Sequence, residues 1–317
     1  MPVFSVFGSG RGKDLPLFFF LVNAQTAEKV EIIDEVRWHS LQKKHHEAKV
    51  SHMFRMYRER GIETVLIKGL ASCLNYPPDV PRSLWDIDIA VSAADFSRAT
   101  DLARSDEFQG YLIDVHRELR QLDSLSWNQL IENSRFIDVD GAAIRVLAPE
   151  DHLRVISVHW LTDGGAYKDK LWDIYYAIQN RPQDFDWSRC LDVVDPTRRN
   201  WILAAISIAH QYLDLKIDAL PIKSEVTELS KWIKNCIEKE WRSGIRVTAI
   251  PSPTDDLSGF FNQIRKRIPP NPVASTIECQ GKFGRSLPVR YQLRVLLRFG
   301  GRAVRSAKHS LLSRVTR

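Results

Sequence analysis

Residues 84–91, Leu-Trp-Asp-Ile-Asp-Ile-Ala-Val, alternate in a way that most restricts what this chain can become. Successive side chains of a strand point to opposite faces. Trp85, Ile87, Ile89 and Val91 are therefore expected on one face, and Leu84, Asp86, Asp88 and Ala90 on the other. Two carboxylates on a strand can mark a solvated sheet edge. The four large apolar residues opposite them, and a glycine turn at Lys68-Gly69 just upstream, argue instead for a strand inside a sheet.

The flanking segments supply the rest of that sheet. Helical spacing of Val30, Ile33, Val36, Leu41, Val50, Phe54 and Tyr57 predicts a helix over 27–60, stopped by Gly61. Residues 62–67 read as a short strand leading into Lys68-Gly69. One or two helical turns over 70–76 then meet Pro77, Pro78 and Pro81, which force a loop. After Ser92, a good N-cap, a helix through 108 is expected, with Phe96, Ala99, Leu102 and Ala103 as its stripe. Residues 111–116 are a further strand, with Asp114 and His116 on one face. Segments 136–139 and 142–147 form a hairpin about Asp140-Gly141, a pair suited to a two-residue turn.

From Pro149 the pattern turns helical: 149–161, 169–180, 186–194, 197–214 and 225–242, separated by Gly164-Gly165, Pro182 and Pro221. The fold class is thus α/β (α+β), a mixed sheet flanked by helices and followed by a helical domain. The expected division is an N-terminal helical segment, 1–60; an α/β domain, 61–148; a helical domain, 149–245; and a Pro/Ser-rich linker with a basic tail, 246–317. The aromatic residues of the helices, such as Trp160, Trp172 and Trp201, are expected as core, so no sequence-specific nucleic-acid binding is expected.

Charge is uneven along the chain. Residues 281–317 hold ten Lys or Arg and no Asp or Glu, leaving 35 basic and 39 acidic side chains in the remaining 280 residues. Arg290, Arg294, Arg298 and Arg302 recur every four residues, with Val289, Leu293, Leu296, Leu297 and Val304 as an apolar side and Gly300-Gly301 as a break. Such a helix can pack on the body, or rest on an anionic partner or membrane surface. The apolar run at 15–22 is far short of the ~20 residues of a membrane span, lacks signal-peptide character, and reads as a packing segment. Four cysteines without CxxC spacing argue against a zinc site or disulfide framework and fit a soluble, cytoplasmic protein.

Carboxylates at i and i+2 of a strand lie close enough to share a divalent ion. With Asp114 from a neighbouring strand, Asp86 and Asp88 would make an oxygen-rich site suited to Mg²⁺, or Mn²⁺ in its place. Such ions orient a triphosphate and neutralise developing charge in phosphoryl or nucleotidyl transfer.

Several segments together resemble a known family: Leu66-Ile67-Lys68-Gly69-Leu70-Ala71, Tyr76, Arg82, Trp85-Asp86-Ile87-Asp88-Ile89, Asp114-Val115-His116, Leu147-Ala148-Pro149-Glu150-Asp151, His159 and Leu171-Trp172-Asp173-Ile174. In this order they resemble the bacterial uncharacterised nucleotidyltransferase family of the DNA polymerase beta-like superfamily, over about 60–190. The resemblance implies a nucleotidyltransferase fold with Asp86, Asp88 and Asp114 as catalytic metal ligands. It places Lys68, Gly69 and Arg82 against the triphosphate, with His116, His159 and Asp173 as accessory residues. A nucleoside monophosphate would pass from a nucleoside triphosphate to an acceptor that the sequence does not identify. Two departures stand out: Trp85 replaces a small residue, and Asp114 stands where the family usually has Glu. They motivate the alternative of a catalytically degenerate binding or scaffold protein acting through its basic tail.

Overall fold

The computed structural model describes residues 24–298, apart from 227, 246, 249 and 252–254. A long helix, α1 (Ala24–Glu59), leads into a five-stranded sheet: β1 (Thr64–Leu66), β2 (Ile87–Val91), β3 (Ile113–Arg117), β4 (Arg135–Val139) and β5 (Ala142–Val146). The sheet order is β3-β2-β1-β5-β4. β2 pairs parallel with β3 and antiparallel with β1, β1 pairs parallel with β5, and β4–β5 is the antiparallel hairpin. This is the mixed sheet flanked by helices that the sequence predicts.

Each face of the sheet carries its own apolar layer. On one side α1 and α3 (Phe96–Ala103) cover Leu66, Ile87, Ile89 and Val91 through Val50, Met53, Phe54 and Ala99. The Tyr57 hydroxyl donates to the Ala99 carbonyl at 2.8 Å and ties these two helices together. On the other side Val65, Ile67 and Ala90 join the cluster built by α5 (Pro149–Thr162), α6 (Leu171–Gln179) and α8 (Pro196–Leu213). The helical region is thus the second layer on the sheet, which is why all five residues of β2 are buried. At the hairpin Asp140 and Gly141 both have positive φ, 51° and 72°, as the expected two-residue turn requires.

Several elements differ from the sequence expectation. β2 begins only at Ile87: its first ladder bond is Ile87 N–H to the Leu112 carbonyl, and Trp85, expected on the apolar face, is 71% exposed. Ser92 closes a turn with Asp95 rather than capping a helix, so α3 is shorter than expected and a 3₁₀ turn covers Asp106–Phe108. Helix α4 (Trp127–Asn133) was not foreseen; a capping box of Ser126 and Gln129 starts it. The expected helix 225–242 begins only at Lys231 as α9 (Lys231–Ser243). The segment 250–275, read as a linker, instead holds α10 (Leu257–Arg267) and the start of α11 (Pro272–Glu278). The Asn271 side chain caps α11, and Val273 and Ile277 anchor it in the core.

Within the basic tail 289–298 is helical, and Arg290, Arg294 and Arg298 fall on it. Its docked residues are Gln292 and Val295, while Val289, Leu293 and Leu297, expected on the packing side, are exposed. Arg302, Val304, the Gly300-Gly301 break and the apolar run 15–22 lie outside the described residues. No helix among the described residues is long and apolar enough to cross a membrane, and the four cysteines are free.

Candidate active site

The end of β1, the end of the loop before β2, and α5 and α6 meet around a cavity of about 360 Å³ lined by Lys68, Gly69, Arg82, Trp85, Asp86, Asp88, His159 and Asp173, among others. Every sequence-predicted residue except Asp114 and His116 therefore faces one space. Asp114 and His116 join through Asp88, because β3 pairs with β2 in the register Asp88↔Asp114.

At the centre Lys68 Nζ lies 2.7 Å from Asp88 Oδ1 and 2.8 Å from His159 Nε2. His116 Nε2 stands 3.4 Å from the same Asp88 oxygen and 3.2 Å from Asp114 Oδ2. Burial alone would raise the Asp88 carboxyl, yet hydrogen bonds and charge from His116 and Lys68 hold it well below the usual carboxylate range. Burial lowers His116, but the hydrogen bonds it donates to the two carboxylates outweigh it and push the imidazole up to about 9. His159 goes the other way: burial first, then the Lys68 charge, lower it to about 3, so it stays neutral and accepts from the lysine. The hydrogen bond to His116 lowers Asp114, against a smaller opposing effect of burial.

Among the described residues, the group whose ligand atoms lie within 4.8 Å of one another is Asp88, Asp114 and His116. Asp86, expected as the first ligand, stands outside that group because it precedes the strand, where its carboxylate is exposed. It lines both this cavity and a second one beside β3. Two carboxylate oxygens and an imidazole nitrogen form a donor set able to hold a divalent metal ion. Lys68 supplies a positive charge at the same oxygen.

Arg82 lines the cavity, but its fork is turned on Asp173. Nε donates to Oδ1 and Nη2 to Oδ2, both at 2.7 Å, and the Tyr76 hydroxyl adds a third bond to Oδ1 at 2.7 Å. Asp173 is buried, and burial would raise its carboxyl, but Arg82 holds it below the ordinary value. The bidentate pair links the loop before β2 to α6 and so sets the cavity's width. Gly69 has φ 60° and ψ −111°, and a Cβ there would lie 3.5 Å from the Asp86 carbonyl. Glycine alone adopts that backbone comfortably. Lys170 and Tyr167, from the loop after Gly164-Gly165, also line the cavity. Sequence reasoning passed over both, although a lysine pair flanking Asp169 beside a glycine turn was the available signal.

Not every residue of the family-like motifs belongs to the site. Asp151 and Asp123 bracket the buried Arg154, at 2.5 and 2.8 Å, and fix α5 to the segment after β3. Glu150 accepts from the Asp186 backbone N–H at 3.1 Å. These acids hold the helical layer in place.

A family model described as "Uncharacterised nucleotidyltransferase" matches residues 34–214, more than half of the chain. Comparison with curated proteins finds no match. Among solved structures, the chain is similar to an antigenic nucleotidyltransferase-like protein from Paracoccidioides brasiliensis. The identity is 17%, over 56% of this chain and 91% of that one, with a TM-score of 0.37.

Proposed function

The chain belongs to the uncharacterised nucleotidyltransferase family, and from that premise we propose that it is a divalent-metal-dependent enzyme moving a nucleoside monophosphate from a nucleoside triphosphate to an acceptor. We read the family as part of the DNA polymerase beta-like superfamily. The observation that carries this reading is the convergence of Asp88, Asp114 and His116 within 4.8 Å, with Asp88 also lining a cavity shared by Lys68, Gly69 and Asp86.

In this reading Asp88 and Asp114 are the principal ligands of Mg²⁺, with Mn²⁺ as substitute, and His116 and Asp86 complete the shell. A bound divalent ion supplies charge neutralisation at the triphosphate and lowers the pKa of an attacking hydroxyl. Lys68 swings from Asp88 to a phosphate oxygen when the triphosphate arrives, leaving neutral His159 to accept from its ammonium. Gly69 lets the backbone approach the phosphates, which no Cβ-bearing residue would do without strain. Arg82 and Asp173 hold the loop of Trp85 and Asp86 at the required distance from α6. Trp85, exposed at the cavity's wall, offers an indole face to the base.

The test is a melting experiment with each common ribonucleoside triphosphate, with and without Mg²⁺, on the wild type and on Asp86→Asn/Asp88→Asn. A triphosphate that binds the native state raises the melting temperature. The reading requires a Mg²⁺-dependent rise that the double variant loses, followed by release of pyrophosphate once an acceptor is supplied. No rise with any triphosphate, in the wild type, rejects it.

A further inference from the structure

We propose that the second cavity bordered by Asp86 is the acceptor site and that it takes an extended polypeptide segment, added as a further strand to the edge of the sheet. The inference rests on the nucleotidyl-transfer reading for its chemistry, but not for its binding.

β3 stands at the end of the sheet order. Ile87 N–H donates to the Leu112 carbonyl and Glu118 N–H to the Val91 carbonyl. Residues 112, 114, 116 and 118 therefore turn their backbone groups toward β2, and Ile113, Val115 and Arg117 turn theirs outward. Among the described residues, no strand pairs with that edge. A row of outward N–H and C=O groups two residues apart is the pattern another backbone satisfies.

A cavity of about 470 Å³ lies along this edge, lined on one side by Asp86 and Asp114 and on the other by Phe96 and Arg104 of α3 and its C-terminus, with Leu112 and Val115 between them. Walls drawn from both faces of β3 place the space at the edge of the strand. Leu112 is 65% exposed and, with Phe96, offers apolar contact to alternate side chains of an incoming strand. Arg104 suits an acidic neighbour. A sugar or free nucleotide has no use for the outward backbone row, and one arginine is a poor match to a nucleic-acid backbone.

Asp86 lines both cavities, so a strand paired with β3 can present a Ser, Thr or Tyr hydroxyl beside Asp86 and Asp114, facing the triphosphate site. The hydroxyl oxygen forms a bond to the α-phosphorus, and the bond from that phosphorus to the bridging oxygen breaks. Pyrophosphate leaves with that electron pair, and the hydroxyl proton passes to Asp86 and on to water.

The test uses the full chain, a pool of short unstructured peptides each with a central Ser, Thr or Tyr, and triphosphates labelled at the α-phosphate. The peptide pool should slow amide exchange at Ile113, Val115 and Arg117 by at least about tenfold, and label should enter the peptides. Val115→Pro removes one outward N–H without touching the bonds to β2, and Leu112→Arg blocks the groove from an exposed position. Both should lose peptide protection and labelling while keeping the triphosphate-induced rise in melting temperature. Unchanged β3 amides at saturating peptide overturn the proposal. So do amides already protected before peptide is added, which would mean the edge is filled by this chain, and so does equal labelling of peptide by both variants. Peptide protection without triphosphate binding would uphold the groove and reject the nucleotidyl-transfer reading instead.

Discussion

Lys68 Nζ stands 2.7 Å from Asp88 Oδ1, an oxygen that a divalent ion in the Asp88, Asp114 and His116 cluster would also need. The lysine is thus both a partner of the cluster and a competitor for its ligand. Lys68→Met should lower the metal-free melting temperature, since it strips a buried carboxylate of its cation. It should also make Mg²⁺ restore more stability than in the wild type, while triphosphate affinity falls. Melting curves with and without Mg²⁺ and triphosphate decide this; equal Mg²⁺ responses in both proteins would reject the competition.

His116 sets a pH window for the metal-free protein. Its imidazole is raised from 6.5 to about 9, so its contribution to stability is fully present below about 6.5 and is lost as pH rises through about 9. Asp88 and Asp114 are depressed, and their contribution is lost on the acid side, as pH falls below the ordinary carboxylate value. Stability in chelator should therefore decline between neutral pH and about 9. His116→Gln should flatten that decline, and NMR titration of the ring should report its high pKa directly.

The sheet and its hairpin were legible because alternation, Gly61 and Asp140-Gly141 are local signals. Asp114 and His116 were legible on one face of their strand for the same reason, but their meeting with Asp88 depends on the β2–β3 register Asp88↔Asp114, which no local period fixes. Lys68 with His159, and Arg82 with Asp173, each lie 91 positions apart, and nothing in a single sequence pairs them. Asp86 was expected in line with Asp88, but the strand starts one residue later, since the first ladder bond is made by Ile87. The helices after residue 250 were hidden by Pro and Ser composition, although Pro272 sits at the first turn of α11, where a missing N–H costs nothing.

Asp173→Ala should leave the Arg82 guanidinium buried without its counter-charge and the Tyr76 hydroxyl without its acceptor. Breaking one side of a buried pair costs about 3–5 kcal/mol, which denaturant unfolding can measure. Arg82→Lys keeps the charge but loses the two-pronged geometry, and should recover only part of the stability. A loss under 1 kcal/mol for Asp173→Ala would mean that the pair behaves as a surface contact.

Gly69→Ala tests backbone rather than space. A methyl group at Gly69 would lie 3.5 Å from the Asp86 carbonyl, an ordinary contact, but the combination φ 60°, ψ −111° is strained for any side chain. The expected cost is about 1–3 kcal/mol, accompanied by weaker triphosphate binding if the turn must keep its shape. Unchanged stability would require that the turn relaxes freely.

Trp85 separates binding from folding more cleanly than any other side chain of the cavity. It is 71% exposed, so truncation to Ala should change stability by no more than about 0.5 kcal/mol. An indole stacked on a base is worth about 1–3 kcal/mol, which corresponds to a loss of triphosphate affinity of about five- to 150-fold in Trp85→Ala. Trp85→Phe keeps an aromatic face and should retain most of the binding. Titration of both variants with the triphosphate that stabilises the wild type, followed by calorimetry, reads the two affinities. If Trp85→Ala binds as tightly as the wild type, the base lies away from Trp85, and Tyr167 on the α5–α6 loop, which lines the same cavity, becomes the next aromatic to truncate.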